Sequence, residues 1–74
     1  MQSVSQLIFD RQRDRFTLDG SDVLPGDLLR VLIYDGVAGK ETWTDTTMQL
    51  SDDGNYYLQG LLGYCLNGLF ACRR

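Results

Sequence analysis

The chemistry open to this chain is limited first by its histidine content, because its 74 residues include no histidine, while carboxylates and two thiols are present. Histidine is the commonest general base and the commonest metal ligand, so Ser-His triads, Cys-His pairs and histidine-based zinc sites are excluded. Cys65 and Cys72 cannot form a four-thiolate zinc site by themselves. We therefore expect a protein that is not an enzyme and that uses no metal ion and no cofactor.

Segments that resemble ligand-binding loops fit turns better. Asp52, Asp53 and Asn55 carry oxygens suited to calcium, but their segment lacks the length and the terminal bidentate Glu of an EF-hand loop. A hairpin turn explains these residues. Neither GLLG nor DGVAG has the Lys-Ser/Thr ending of a phosphate-binding loop. Paired carboxylates would need a pocket, and a small barrel is filled by its own side chains.

Aromatic side chains are the remaining candidates, and they suit binding rather than catalysis. The predicted binding residues are Tyr34, Trp43, Tyr56, Tyr57 and Tyr64. Trp43 is flanked by threonines and lies near Glu41 and Asp45, a setting suited to a basic or proline-containing peptide. The alternative is that Trp43 is the largest core residue of a small domain.

A second candidate surface is basic. Arg11, Arg13 and Arg15 lie close together in sequence, interleaved with two aspartates that cancel much of their field. The net charge of −3 opposes nucleic-acid binding overall, so we expect a nucleic-acid partner less than a protein one. The alternative function, a small nucleic-acid-associated accessory factor, would use these arginines together with Arg30 and stacked tyrosines.

Short strands are the elements that would position these residues, because turn signals recur roughly every eight to twelve residues. The predicted strands are residues 6–9, 15–18, 28–34, 41–50, 56–62 and 69–74. In the central strand, 28–34, Leu29, Val31 and Ile33 share one side. Residues 63–67 could hold at most a single helical turn, and a continuous helix over 58–70 is the competing interpretation, weakened by its glycines.

The alternation of apolar residues breaks along the strand 41–50. Trp43 falls on the odd face, whereas Met48 and Leu50 fall on the even one. A bulge between Thr44 and Thr47 would let all three side chains face inward. Without a bulge, Trp43 faces outward.

These patterns predict an all-β fold, a small SH3-like or OB-like barrel of five to six short strands that forms one domain over residues 1–74. A homodimer stays open, because a chain this short has little core of its own. Neither a secretory signal nor an apolar run long enough to span a membrane is present, so we expect a cytoplasmic protein.

Several segments together, GDLLRVLIYDG, a Trp-led strand, SDDGNYYLQGL and LNGLFACRR, resemble a family of short uncharacterised bacterial proteins associated with mobile elements. The resemblance covers nearly the whole chain and implies a small β-rich accessory protein of a prokaryotic mobile element, with no catalytic or ligand-binding residues to transfer. We predict a non-catalytic module that binds a protein or peptide partner. It would use an acidic-rimmed aromatic face or an exposed strand edge.

Overall fold

A computed structural model describes residues 4–61 and 63–74 of the chain, and these residues form strands, turns and no helix. The strands are β1 (Ser5–Asp10), β2 (Arg15–Leu18), β3 (Ser21–Val23), β4 (Leu28–Asp35), β5 (Lys40–Leu50), β6 (Tyr56–Leu58) and β7 (Phe70–Arg73). They pair antiparallel in the order β3-β2-β1-β7-β4-β5-β6. The sheet curls into a half-barrel. Because the described residues form antiparallel strands and no helix, the prediction of an all-β fold is confirmed.

The sheet consists of two three-stranded meanders joined by β7. Strands β1, β2 and β3 form the first meander, and β4, β5 and β6 form the second. β7 pairs with β1 through Ala71 and Phe70 and with β4 through Ala71, Cys72 and Arg73. Among the described residues, β7, a strand late in the chain, is therefore the only strand that connects the two meanders by backbone pairing.

β3 is the strand that the prediction of five or six strands did not include. Its residues follow Asp19-Gly20, which comes directly after the predicted strand 15–18. Both residues have positive φ, 53° and 78°, and Leu18 pairs directly with Ser21 across them. Two central residues with positive φ make the two-residue turn favoured in hairpins, so the chain reverses there and continues as a strand.

The helical turn that residues 63–67 could have held does not form, and the competing helix over 58–70 is wrong. Gly60, Gly63 and Gly68 have φ values of 77°, 88° and 95°, in the left-handed region that interrupts an α-helix. β6 ends at Leu58 rather than at residue 62, which lies outside the described residues. The chain beyond Leu58 returns to the middle of the sheet and contributes Leu66 to the core.

The core lies in the concave side of the half-barrel. Along β4 the side chains alternate: Leu29, Val31 and Ile33 are buried, while Leu28 and Tyr34 are exposed. The large side chains with almost no exposed surface come from five different strands and are Leu7, Val23, Leu29, Val31, Met48 and Leu58. One core therefore unites both meanders.

Two contacts besides the ladders hold the curl. The Tyr56 ring on β6 packs edge to face against Phe16 on β2, with centroids 5.8 Å apart, and its hydroxyl donates to the Asp14 carbonyl at 3.4 Å. The turn before β4 is tied to β5, because Gly26 N–H donates to the Met48 carbonyl at 2.7 Å. Side chains thus join the edge strand β6 to β2, the strand next to the other edge, and backbone bonds hold the base of the β4–β5 hairpin.

The alternation along β4 predicts opposite outcomes for two adjacent leucines. Leu29→Ala should lower the free energy of unfolding by about 2 to 5 kcal/mol, because it opens a cavity in the core. Leu28→Ala, the matched control on the exposed face, should change it by less than about 0.5 kcal/mol. Urea denaturation followed by circular dichroism measures both. Equal losses in the two variants would contradict the assignment of the faces.

Candidate functional site

β5 presents Trp43 on the convex, outer face of the sheet. The strand pairs with β4 in one unbroken register from Leu28↔Thr47 to Asp35↔Lys40, with no bulge. Thr46 and Met48 are buried on the inner face, so the odd-numbered residues point outward. Trp43 is 45% exposed. Of the two arrangements that the sequence left open, the structure has the one in which Trp43 faces outward.

Trp43 belongs to an apolar row that crosses three adjacent strands. Leu32 on β4 lies directly opposite Trp43. The β4–β7 register, continued by one residue from Val31↔Ala71, brings Phe70 beside Leu32. Phe70 is 49% exposed. We call Phe70, Leu32 and Trp43 the outer stripe. Its two aromatic residues are exposed and Leu32 between them is half-buried, on a sheet whose opposite face holds the core.

A row of charged residues borders the outer stripe. Arg30 Nε donates to Asp45 Oδ1 at 2.7 Å across the β4–β5 ladder, and Arg74 Nη1 lies 3.6 Å from Asp45 Oδ2. The hydrogen bond from Arg30 lowers the pKa of Asp45, and the same bond raises the pKa of Arg30. Both groups are solvent exposed, so the pair orders the surface more than it stabilises the fold.

A shallow, open depression lies between the stripe and this charged row. Its volume is about 730 Å³, and its lining residues are Val4, Arg30, Trp43, Thr44, Asp45 and Cys72. The depression is too open to enclose a small molecule, since ligand sites in proteins are concave and bury most of the ligand. A flat or extended partner fits this surface better.

The structure does not bring the five predicted aromatic residues together. Tyr34 is 62% exposed and lies beside Glu41, one outward position along β4 from Leu32, so it extends the outer stripe. Tyr57 also faces outward, but it pairs with Gln49, roughly 20 Å along β5 from Trp43.

The other two tyrosines lie elsewhere. Tyr56 packs against Phe16 at the rim of the core, and Tyr64 is exposed in the connection between β6 and β7. Sequence reasoning missed Leu32 and Phe70. The signal available for Leu32 was its even position in the strand 28–34, opposite in parity to the core residues.

The four predicted arginines do not form one basic surface. Arg13 and Arg15 both form ion pairs with Asp22 on β3, and Arg30 is bound to Asp45 on the outer face. Arg11 is exposed in the β1–β2 turn. Carboxylates therefore compensate three of the four positive charges that a nucleic-acid surface would need.

Other classes of site are not found in the part of the chain that the structure describes. Residues 4–61 and 63–74 contain no group of three or more Cys, Asp or Glu side chains placed to hold a metal ion. No helix in these ranges has the length and hydrophobicity to cross a membrane. No protein-family model, curated protein or solved structure matches the chain. Function is therefore inferred from the outer face itself.

The position of Trp43 predicts its fluorescence and its contribution to stability. Its emission should be red-shifted in the folded protein and quenched by acrylamide, because Trp43 is 45% exposed. Trp43→Ala should lower the melting temperature by less than about 8 °C, as a change near 1 kcal/mol does in a domain this small. Met48→Ala, on the buried face of the same strand, should cost about 2 to 5 kcal/mol. A blue-shifted Trp43 that acrylamide does not quench would contradict this assignment.

The Arg30–Asp45 pair predicts a pH dependence with a definite sign. Because the pKa of Asp45 is lowered in the fold, its contribution to stability is present above the ordinary carboxyl pKa of 3.8 and is lost as the pH falls through the lowered value. The stability difference between the native protein and Asp45→Asn should be constant near neutral pH and shrink below about pH 4. Denaturation at a series of pH values measures it. A difference that grows in acid would contradict the pairing.

Proposed function

We propose that this chain is a non-catalytic protein-interaction module that binds its partner through the outer stripe. The observation that supports the proposal most directly is the alignment of Phe70, Leu32 and Trp43 across three strands of the outer face, with both aromatic rings about half exposed. Tryptophan and other aromatic residues are enriched among the side chains that dominate binding energy at protein interfaces.

The distribution of residues on β5 strengthens this proposal. Thr44 and Thr46 point toward the concave side, while the larger and more apolar Trp43 points to solvent. Full burial of a large apolar side chain stabilises a fold by roughly 1.5 to 3 kcal/mol relative to leaving it exposed. A domain with so small a core gains nothing in stability from this inverted arrangement. An outer face used for binding accounts for it.

The charged row supplies the rim of such an interface. Arg30, Asp45 and Arg74 border the stripe on one side, and Glu41 borders it on the other. Protein interfaces combine an apolar centre with a polar, solvent-accessible rim. The rim contains both signs of charge, so it would select the orientation of a protein partner more than it would attract a polyanion.

The proposal extends to fold type and biological setting. We place the half-barrel with small SH3-like or OB-like barrels, which bind peptides or oligonucleotides on one face of the sheet. The resemblance to short proteins of bacterial mobile elements would make it a cytoplasmic accessory protein of such an element. The nucleic-acid alternative is the weaker one, because Asp22 and Asp45 hold Arg13, Arg15 and Arg30 in ion pairs.

Substitutions in the stripe test the proposed function. Proteins captured by the tagged chain are identified by mass spectrometry, produced in pure form and titrated calorimetrically against each variant. Trp43→Ser and Phe70→Ser should each weaken binding at least about tenfold, the loss expected of a central interface residue. The control is Leu24→Ser, in the turn before β4 and away from the stripe. Leu24 is as exposed as Trp43 and Phe70, and this substitution should change affinity less than about threefold.

Two results would contradict the proposed function. One is a partner that folded Trp43→Ser and Phe70→Ser variants bind as tightly as the native protein does. The other is binding of single-stranded DNA or RNA tighter than about micromolar at physiological salt, abolished when Arg11, Arg13 and Arg15 are replaced together by Ala. That second result would support the nucleic-acid accessory role.

A further inference from the structure

The outer stripe ends at an open strand edge. β5 has 11 residues, but β6 pairs only with Met48, Gln49 and Leu50. Gln59 extends this contact by one step, donating its backbone N–H to the Thr47 carbonyl at 3.0 Å. Within the described parts of the chain, no strand pairs with the same edge of β5 over residues 40–45.

The direction of the backbone groups on this edge follows from the observed hydrogen bonds. The Thr47 carbonyl points toward β6, whereas Met48 donates to the Asp27 carbonyl on the β4 side. Backbone groups alternate between the two edges of a strand. The N–H and C=O groups of Glu41, Trp43 and Asp45 therefore point to the open edge. The side chains of the same three residues lie on the outer face. Along this edge they form a row of an acidic, an aromatic and a second acidic side chain.

We propose that this edge of β5 pairs antiparallel with an extended segment of a partner protein in which two basic side chains flank an apolar one, each separated by one residue. The inference rests on the proposed function and specifies the chemistry of its partner. In such a ladder, residues opposite Glu41, Trp43 and Asp45 present their side chains on the same outer face. The basic side chains would meet the two carboxylates, and the apolar side chain would cover Trp43.

The two carboxylates suit this pairing in different ways. Glu41 is exposed, and no described cation forms an ion pair with it. Asp45 already accepts a guanidinium from the residue directly opposite on β4, through the 2.7 Å bond from Arg30 Nε, and Arg74 Nη1 lies 3.6 Å from its other carboxylate oxygen. Glu41 is therefore the stronger of the two contacts for a basic side chain. The β4 side thus shows the cross-strand pair that a basic residue on an added strand would repeat.

A second copy of this chain fits the edge poorly. Antiparallel self-pairing centred on Trp43 gives the longest ladder, but it places Glu41 of each copy opposite Asp45 of the other. Like charges directly opposite in a sheet are destabilising. Shifting the self-pairing by two residues toward Leu50 would place Glu41 opposite Thr47. The Thr47 carbonyl is not free for that pairing, because it accepts a hydrogen bond from the Gln59 backbone N–H. Charge pattern and register together favour a different, basic partner segment over a homodimer through this edge.

Synthetic peptides with capped ends test the pairing. The probe is Ser-Thr-Lys-Thr-Val-Thr-Lys-Thr-Ser, compared with a peptide of the same composition in which the two lysines are adjacent. A third peptide has glutamate in place of both lysines. Binding is followed by Trp43 fluorescence, and amide hydrogen exchange is measured by NMR on the labelled protein. The alternating probe should bind at least about fivefold more tightly than either comparison peptide.

Hydrogen exchange provides the decisive readout. In the protein alone, amides of Glu41, Trp43 and Asp45 should exchange fast, and those of Thr42 and Thr44, which face β4, should exchange slowly. Saturating probe should slow the three odd-numbered amides at least about tenfold. Glu41→Lys should weaken probe binding at least about fivefold, whereas Asp52→Lys, an equal charge change in the β5–β6 turn, should leave it unchanged.

Three results would overturn this inference. The first is probe binding without protection of the odd-numbered amides, which would mean docking on the stripe without strand addition. The second is no probe binding at millimolar concentration while a captured partner still depends on Trp43 and Phe70; the proposed function would then stand and the strand pairing would fall. The third is concentration-dependent protection of these amides in the protein alone, with a dimer in sedimentation, which would assign the edge to a second copy.

Discussion

The continuous register between β4 and β5 is the constraint on which the rest of this structure depends. Eight consecutive residue pairs, from Leu28↔Thr47 to Asp35↔Lys40, leave no residue unopposed. Because side chains alternate strictly along such a ladder, a shift of one residue would exchange the two faces completely. The same register that sends Leu29 and Val31 into the core therefore places Leu32 and Trp43 on the outer face. Core and candidate interface are two consequences of one alignment.

Interactions at the rims convert this hairpin into a curved sheet. Arg73 on β7 donates to Asp27 before β4 at 3.1 Å and to the Asp22 carbonyl on β3 at 2.6 Å, so one guanidinium connects β7 to both meanders. The aromatic contact of Phe16 with Tyr56 joins β2 to β6 without backbone pairing. The curvature makes one face concave and filled and leaves the other convex and accessible. It explains why the exposed aromatic residues lie on a broad surface and not in a pocket.

Local patterns predicted what depends on neighbours in sequence. The alternation over residues 28–34 correctly grouped Leu29, Val31 and Ile33 on one side of the strand, and in the structure that side is the buried one. The three residues of β3 are too few for a periodic signal, so the strand and the ion pairs of Asp22 were not foreseen. Of the outer stripe, the sequence predicted Trp43 but not Phe70. Phe70 lies beside Leu32 because β7 inserts between β1 and β4. No spacing within the sequence encodes that neighbour.

The position of β7 also has a consequence for the order of events during folding. Each meander is built from contacts local in sequence, and such hairpins form in microseconds. Their union waits for β7, which must find β1 across more than 60 intervening residues, as the pairing of Ser5 with Ala71 requires. Non-local pairing of this kind slows folding, because loop closure precedes any gain in contacts. On the ribosome, both meanders would emerge before the strand that joins them, with their apolar faces still uncovered.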